Sequence, residues 1–82
     1  MHSREEIFTT LQGYLVDMFE VPTEKVTMEA RLYEDLDLDS IDAVDLIVKL
    51  QQFTQRKFKA EEFKTVRRVS DVIDRVESIL AE

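Results

Sequence analysis

Gly13 and Pro22 are the only glycine and the only proline in 82 residues. A chain this poor in turn formers is not an all-β domain, which needs turn punctuation roughly every 8–12 residues. Helical periodicity is what the sequence offers instead. Ser3 with Glu6 three residues on forms a capping-box pattern, after which Ile7, Leu11, Leu15 and Met18 recur on one face. This predicts a first helix over about residues 4–19, in which Gly13 is tolerated and costs roughly 1 kcal/mol relative to alanine. At the other end Val69, Val72, Ile73, Val76 and Leu80 repeat at the same spacing, predicting a last helix over about 68–80.

Between the first helix and residue 39 the connection, interrupted by Pro22, is long for a compact domain, yet Val21, Val26, Met28, Leu32, Leu36 and Leu38 are spaced along it as apolar anchors. A loop of that length is usually functional or packed by its own side chains, and these anchors predict packing. From Ser40 the helical spacing resumes with Ile41, Val44, Ile47, Val48 and Leu50, giving a helix over about 40–53. Asp39 is its natural N-cap, and Asp42 lies in the first turn where the helix dipole favours a negative charge. Residues 54–60 read as a loop anchored by Phe58, followed by a short helical piece from Ala60 to Thr65. Met18, Phe19, Tyr33 and Phe53 are expected in the core. The expected architecture is all-α: a small four-helix bundle of three long helices and one short one, forming a single domain over residues 1–82.

Composition narrows the function. A net charge of −7, from 18 acidic and 11 basic side chains, argues against a nucleic-acid partner. The absence of cysteine removes a disulfide framework, a thiolate metal site and a cysteine nucleophile. A lone histidine, His2, makes a histidine-based metal site or triad implausible. No apolar run is long enough to span a membrane, and the first residues lack a signal-peptide pattern. The expectation is an intracellular, cytoplasmic, monomeric domain that is not an enzyme and works through what it binds or carries.

Charge is unevenly spread. Residues 1–48 hold twelve acids and three bases, whereas residues 49–82 hold six acids and eight bases. The densest stretch is 34–45, where Glu34, Asp35, Asp37, Asp39, Asp42 and Asp45 contribute six carboxylates and no base accompanies them. Ser40 is in its middle, at the predicted helix start, fixed in place with its hydroxyl toward water. Asp35, Asp37 and Asp39 have the alternate spacing of early calcium-loop ligands. That loop, however, requires glycine at its sixth position and glutamate at its twelfth, where this chain has Ser40 and Leu46. Phosphorylation of Ser40 places a new negative charge among six others with no adjacent arginine cluster to receive it. From the residues alone two readings stay open: an ordinary acidic helix start, or a serine presented for modification by another protein.

The run Leu36-Asp37-Leu38-Asp39-Ser40-Ile41-Asp42 resembles the attachment motif of acyl carrier proteins, in which Asp-Ser-Leu opens the second helix. The resemblance covers nearly the whole chain. Val26-Thr27 and Glu34-Asp35-Leu36 are similar to the family's loop before the motif, Val44-Asp45-Leu46 with Leu50 to its second helix, and Lys64-Thr65-Val66 with residues 69–76 to its end. Two positions depart from the pattern. Isoleucine replaces the usual leucine at Ile41, a volume-conserving change. Asp37 stands where many members have glycine, and aspartate tolerates the left-handed backbone such a turn can require.

The resemblance implies that Ser40 receives 4′-phosphopantetheine from coenzyme A through a separate phosphopantetheinyl transferase. The arm's terminal thiol then carries acyl intermediates as thioesters between fatty-acid or polyketide-type enzymes such as acyl transferases and ketosynthases. Family members dock through acidic residues onto basic enzyme surfaces, which raises encounter rates and keeps contacts brief. Here that implies Glu34, Asp35, Asp37, Asp39, Asp42 and Asp45, with Ile41, Val44 and Val48 on one helical face as the apolar part of the same surface. The family also shelters acyl chains between its helices. Peptidyl carriers share the fold but usually show a Gly-Gly-x-Ser-Leu motif, so a peptidyl or D-alanyl carrier is an alternative. An acidic helical interaction module without covalent cargo is another. Arg56, Lys57, Lys59, Lys64, Arg67 and Arg68 form a basic cluster unlike the most acidic members. It reads either as a solvated charge balance or as a device that selects partners of a specialised lipid or polyene pathway.

Overall fold

The computed structural model describes residues 3–81 apart from Lys59 and Lys64, and at Ala60 and Glu62 the backbone alone. Three α-helices carry the architecture: α1 (Arg4–Phe19), α2 (Ser40–Thr54) and α3 (Val69–Leu80). Two short 3-10 helices, Thr23–Lys25 and Ala60–Phe63, lie in the connections. The four-residue piece Ala60–Phe63 occupies the place where a fourth, short helix was expected, so the fold is all-helical with three α-helices and 3-10 turns among the described residues. Two of the six expected basic residues, Lys59 and Lys64, lie outside those residues.

Each helix begins and ends for a local reason. The Ser3 hydroxyl accepts the Glu6 N–H at 3.1 Å and opens α1. Glu20, with φ of 56°, closes it, its N–H reaching the carbonyls of Leu15 and Val16. Gln55, with φ of 57°, closes α2 the same way by donating to the Gln51 carbonyl. Both are left-handed caps made without glycine. The one glycine is instead inside α1, where a Cβ on Gly13 meets no heavy atom within 4 Å. Its place there is tolerated and serves no close helix approach.

The core lies where the three helices meet. Ile7, Leu11 and Leu15 from α1, Leu50 from α2, and Val69, Val72, Ile73 and Val76 from α3 are essentially sealed from water. The residues spaced along the first connection join them: Val21, Val26, Leu32, Leu36 and Leu38 are buried, and Met28 packs against the cluster from its edge. This connection is also stitched to the start of α3. Val69 and Ser70 donate their N–H groups to the carbonyls of Ala30 and Met28, each at 3.0 Å, and Leu32 donates to Arg67 at 2.8 Å. Loop carbonyls thus satisfy first-turn donors of α3 that have no partner within the helix. The Asp71 carboxylate accepts from the N–H groups of Arg67 and Arg68, both at 3.0 Å, and fixes the same corner.

The second connection is held by Phe58, which is buried and stacks on Phe63 with ring centroids 5.6 Å apart. Its N–H donates to the Gln51 side chain at 2.8 Å. Three expectations about apolar residues change in detail. Phe19 and Phe53 pack against the core, but Tyr33 is 42% exposed because it lies in the turn between the buried anchors Leu32 and Leu36. Met18 is half-buried and outside the core cluster. In α3 the deeply buried residue near the C-terminus is Ile79, with Leu80 at the margin.

Candidate functional site

The acidic segment and the start of α2 form one surface, and its geometry follows from alternation. Leu36 and Leu38 are buried while Asp37 and Asp39 are exposed, so the chain is pinned to the core at every second residue. Asp37 takes φ of 56°, the left-handed conformation anticipated for an aspartate in a glycine position. Leu38 then donates its N–H to the Leu32 carbonyl at 3.1 Å, which sets the angle at which the chain enters α2.

Asp39 caps the helix reciprocally with Asp42. The Asp39 carboxylate accepts the Asp42 N–H at 2.9 Å, and the Asp42 carboxylate accepts the Asp39 N–H at 3.2 Å. Ser40 is the first residue of α2 and is exposed. The carboxylates of Asp39 and Asp42, before and after it in the chain, thus each accept a backbone N–H at the helix start.

Ile41, Val44 and Val48 lie on the outer face of α2, 70%, 52% and 43% exposed, while Leu46, Ile47 and Leu50 face the core. Asp45 is exposed on the same helix. The structure therefore gathers Asp37, Asp39, Ser40, Ile41, Asp42, Val44, Asp45 and Val48 onto α2 and the residues entering it.

Glu34 and Asp35 differ from the rest of the expected set. Both are engaged by Arg31, a residue that the charge pattern did not single out. Its guanidinium reaches both Asp35 oxygens at 3.2 Å and Glu34 at 2.5 Å, and its backbone N–H donates to Asp35 at 2.8 Å. These hydrogen bonds, with the guanidinium charge, hold the Asp35 carboxyl below the ordinary carboxylate range. The signal was present in the sequence: a basic residue three and four positions before two acids is placed to pair with them once the chain turns.

Two cavities lie near this surface. A small one of about 20 Å³ opens between α2, the Ala60–Phe63 turn and α3, lined by Leu46, Leu50, Phe63 and Val72 with Tyr33 at its edge. A wider cleft of about 260 Å³ runs beside the start of α2 between Lys25, Asp35, Asp37 and Asp42. Among the described residues no group of three or more His, Cys, Asp or Glu side chains is placed to hold a metal ion. No described helix is long and apolar enough to cross a membrane.

Comparison with known proteins returns one family. Residues 9–76 match the model described as "Phosphopantetheine attachment site". Acyl carrier protein 2 of Ralstonia nicotianae is 53% identical over 76 residues, covering 93% of this chain and 94% of that protein. An acyl carrier protein of Coprothermobacter proteolyticus is 42% identical over 77 residues, 94% of each chain. The solved structure of an acyl carrier protein from Enterococcus faecalis superposes with a TM-score of 0.78 over 95% of this chain and 99% of that one. At 20% identity, that likeness bears on the fold.

Proposed function

This chain belongs to the acyl carrier protein family, and from that premise we propose that Ser40 is its attachment point for 4′-phosphopantetheine. Proteins of this family are carriers and not enzymes, and phosphopantetheine is their prosthetic group. The observation that carries the assignment is the contrast between the two serines within the matched residues. Ser40 is exposed at the first position of α2, whereas Ser70 is half-buried in the first turn of α3 with its N–H donated to the Met28 carbonyl.

The residues at Ser40 suit a phosphodiester. The start of α2 presents backbone N–H groups, which favour an anion. The reciprocal Asp39–Asp42 cap points two carboxylates at amides and so lessens the repulsion that six acids impose on an incoming phosphate. When attached, the group supplies a flexible arm ending in a thiol, on which an acyl cargo is held as a thioester, in a chain that has no cysteine of its own. The chain's part in loading is to present the Ser40 hydroxyl as the nucleophile toward the pantetheine-side phosphorus of the coenzyme A pyrophosphate, where the new P–O bond replaces the P–O–P link and adenosine 3′,5′-bisphosphate leaves. The proton goes to a base of the phosphopantetheinyl transferase.

The docking surface in this reading comprises Glu34, Asp35, Asp37, Asp39, Asp42 and Asp45 around Ile41, Val44 and Val48. Negative charge steers basic enzymes to the serine, and the exposed aliphatic face gives them an apolar contact once there. Such partners are the transferase, acyl transferases and ketosynthases of a fatty-acid or polyketide-type pathway. The small apolar cavity beside Leu46 and Phe63 is where a cargo chain could begin to enter the bundle. Residues 1–82 act as one cytoplasmic, monomeric carrier domain, and with the Ala60–Phe63 turn counted as its short helix the arrangement is a four-helix carrier bundle.

Intact mass after incubation with coenzyme A and a broad-specificity phosphopantetheinyl transferase tests the assignment. One added phosphopantetheine is expected on the native chain and on Ser70→Ala, and none on Ser40→Ala. Addition to folded Ser40→Ala refutes the site. No addition to unmodified native protein favours an interaction module without covalent cargo.

A further inference from the structure

Of the six carboxylates in residues 34–45, Asp39 caps α2, Asp42 and Asp45 lie within it, Asp37 precedes the cap by two residues, and two lie further back. Those two, Glu34 and Asp35, are the ones that Arg31 holds, through a fork on Asp35 and a third contact to Glu34. Arg68 lies across an antiparallel bridge from Arg31, and its charge also favours ionised Asp35. The bridge is fixed by the hydrogen bonds that join the first connection to α3, so the two arginines are positioned by the fold. The acidic surface therefore carries a pair of arginines, Arg31 and Arg68, on the side of the first connection.

We propose that Arg31, backed by Arg68, is a specificity-determining residue that occupies Glu34 and Asp35 and so confines the docking face for basic partners to residues 37–48. This rests on the docking surface proposed above and narrows it by removing Glu34 and Asp35. A partner that places its cations along α2 meets four aspartates around the exposed Ile41, Val44 and Val48. A partner whose cations extend over the preceding loop must displace Arg31 from its carboxylates and face two like charges, and it is disfavoured for that reason. The partner chemistry selected is a short basic strip with an apolar centre, aligned with α2.

The test is a double-mutant cycle on Arg31 and Glu34, read as the KM of the phosphopantetheinyl transferase for the apo-protein and its dependence on salt. Arg31→Gln is expected to lower KM about threefold and to steepen the salt dependence, because it frees two carboxylates for the enzyme's cations. Glu34→Gln is expected to raise KM more in the Arg31→Gln background than in the native one. Arg31→Lys, which keeps the charge and loses the fork, is expected to fall between native and Arg31→Gln. Equal effects of Glu34→Gln in both backgrounds, or an Arg31→Gln variant with unchanged or higher KM, overturns the proposal. If Arg31→Gln does not fold, the comparison moves to single variants. A smaller rise in KM for Glu34→Gln than for Asp42→Asn then supports the proposal, and equal rises overturn it. Absence of added mass on every chain, native included, removes the carrier reading itself, an outcome distinct from loading that proceeds without coupling between Arg31 and Glu34.

Discussion

Along α2, Ile41, Val44 and Val48 have nearly the same chemistry as Leu46, Ile47 and Leu50, and opposite surroundings. The first three face water and the second three face α1, α3 and the first connection. Burying an aliphatic side chain stabilises a fold by about 1.5–3 kcal/mol, so the outward set forgoes a gain the inward set realises. A second contrast separates the acids. Asp39 and Asp42 serve the helix backbone, while Glu34 and Asp35 serve a guanidinium. One helix and its approach thus hold a face buried in the core and a face left exposed to water. The two should respond differently to the same kind of change.

The strongest way to break this comparison is truncation on each face. Leu50→Ala removes a fully buried side chain and is expected to cost about 2–5 kcal/mol in urea unfolding, a large share of the roughly 5–15 kcal/mol available to a small domain. Val48→Ala on the outer face is expected to change stability by no more than about 0.5 kcal/mol and to raise the transferase KM. Similar losses of stability at both positions would show that the outer face is structural.

A smaller effect concerns the residues that end the helices. Glu20 and Gln55 hold left-handed backbone without being glycine, and Gly13 is inside α1 with open space around it. Glycine is therefore absent where its freedom is useful and present where it is a liability. Gly13→Ala is expected to stabilise by roughly 0.5–1 kcal/mol. Glu20→Gly and Gln55→Gly are each expected to stabilise by up to about 1 kcal/mol, since a side chain in that conformation costs roughly 1–2 kcal/mol before entropy is counted. Thermal melts of the three variants decide this. A destabilised Gln55→Gly would mean that the side chain itself contributes at the end of α2.

The smallest expected effect is on pH dependence. Arg31 lowers the Asp35 pKa in the folded protein from the ordinary 3.8. A depressed folded-state value contributes stability above the unfolded pKa and loses it as pH falls through the folded one. The contribution of this pair is therefore present at neutral pH and disappears progressively below about 3.8. Carboxyl-carbon NMR titration is expected to show Asp35 titrating below its ordinary value in the native chain and returning toward it in Arg31→Gln. An unchanged midpoint in that variant would assign the shift elsewhere.

Much of this molecule follows from local rules, and those rules are legible in its order of residues. Helix starts at Ser3 and Asp39 came from side chains that accept backbone N–H groups, and the helices themselves from apolar spacing. Ser40 stood out because a fixed helix start and a dense run of acids coincide there. Periodicity alone could not divide α2, since Ile41, Val44 and Val48 obey the same spacing as a core face. They are exposed because α1 and α3 cover only the other side. Nor could it place Tyr33 outside the core, because that depends on how the turn between Leu32 and Leu36 is oriented. The carbonyls of Met28 and Ala30 that complete the start of α3, and the bridge that sets Arg68 opposite Arg31, were likewise decided in three dimensions. Capping and periodicity act within a few residues and can be read along a line. Which face is covered, and which carbonyls complete a distant helix start, depend on segments far apart in the chain, and those meet only when it folds.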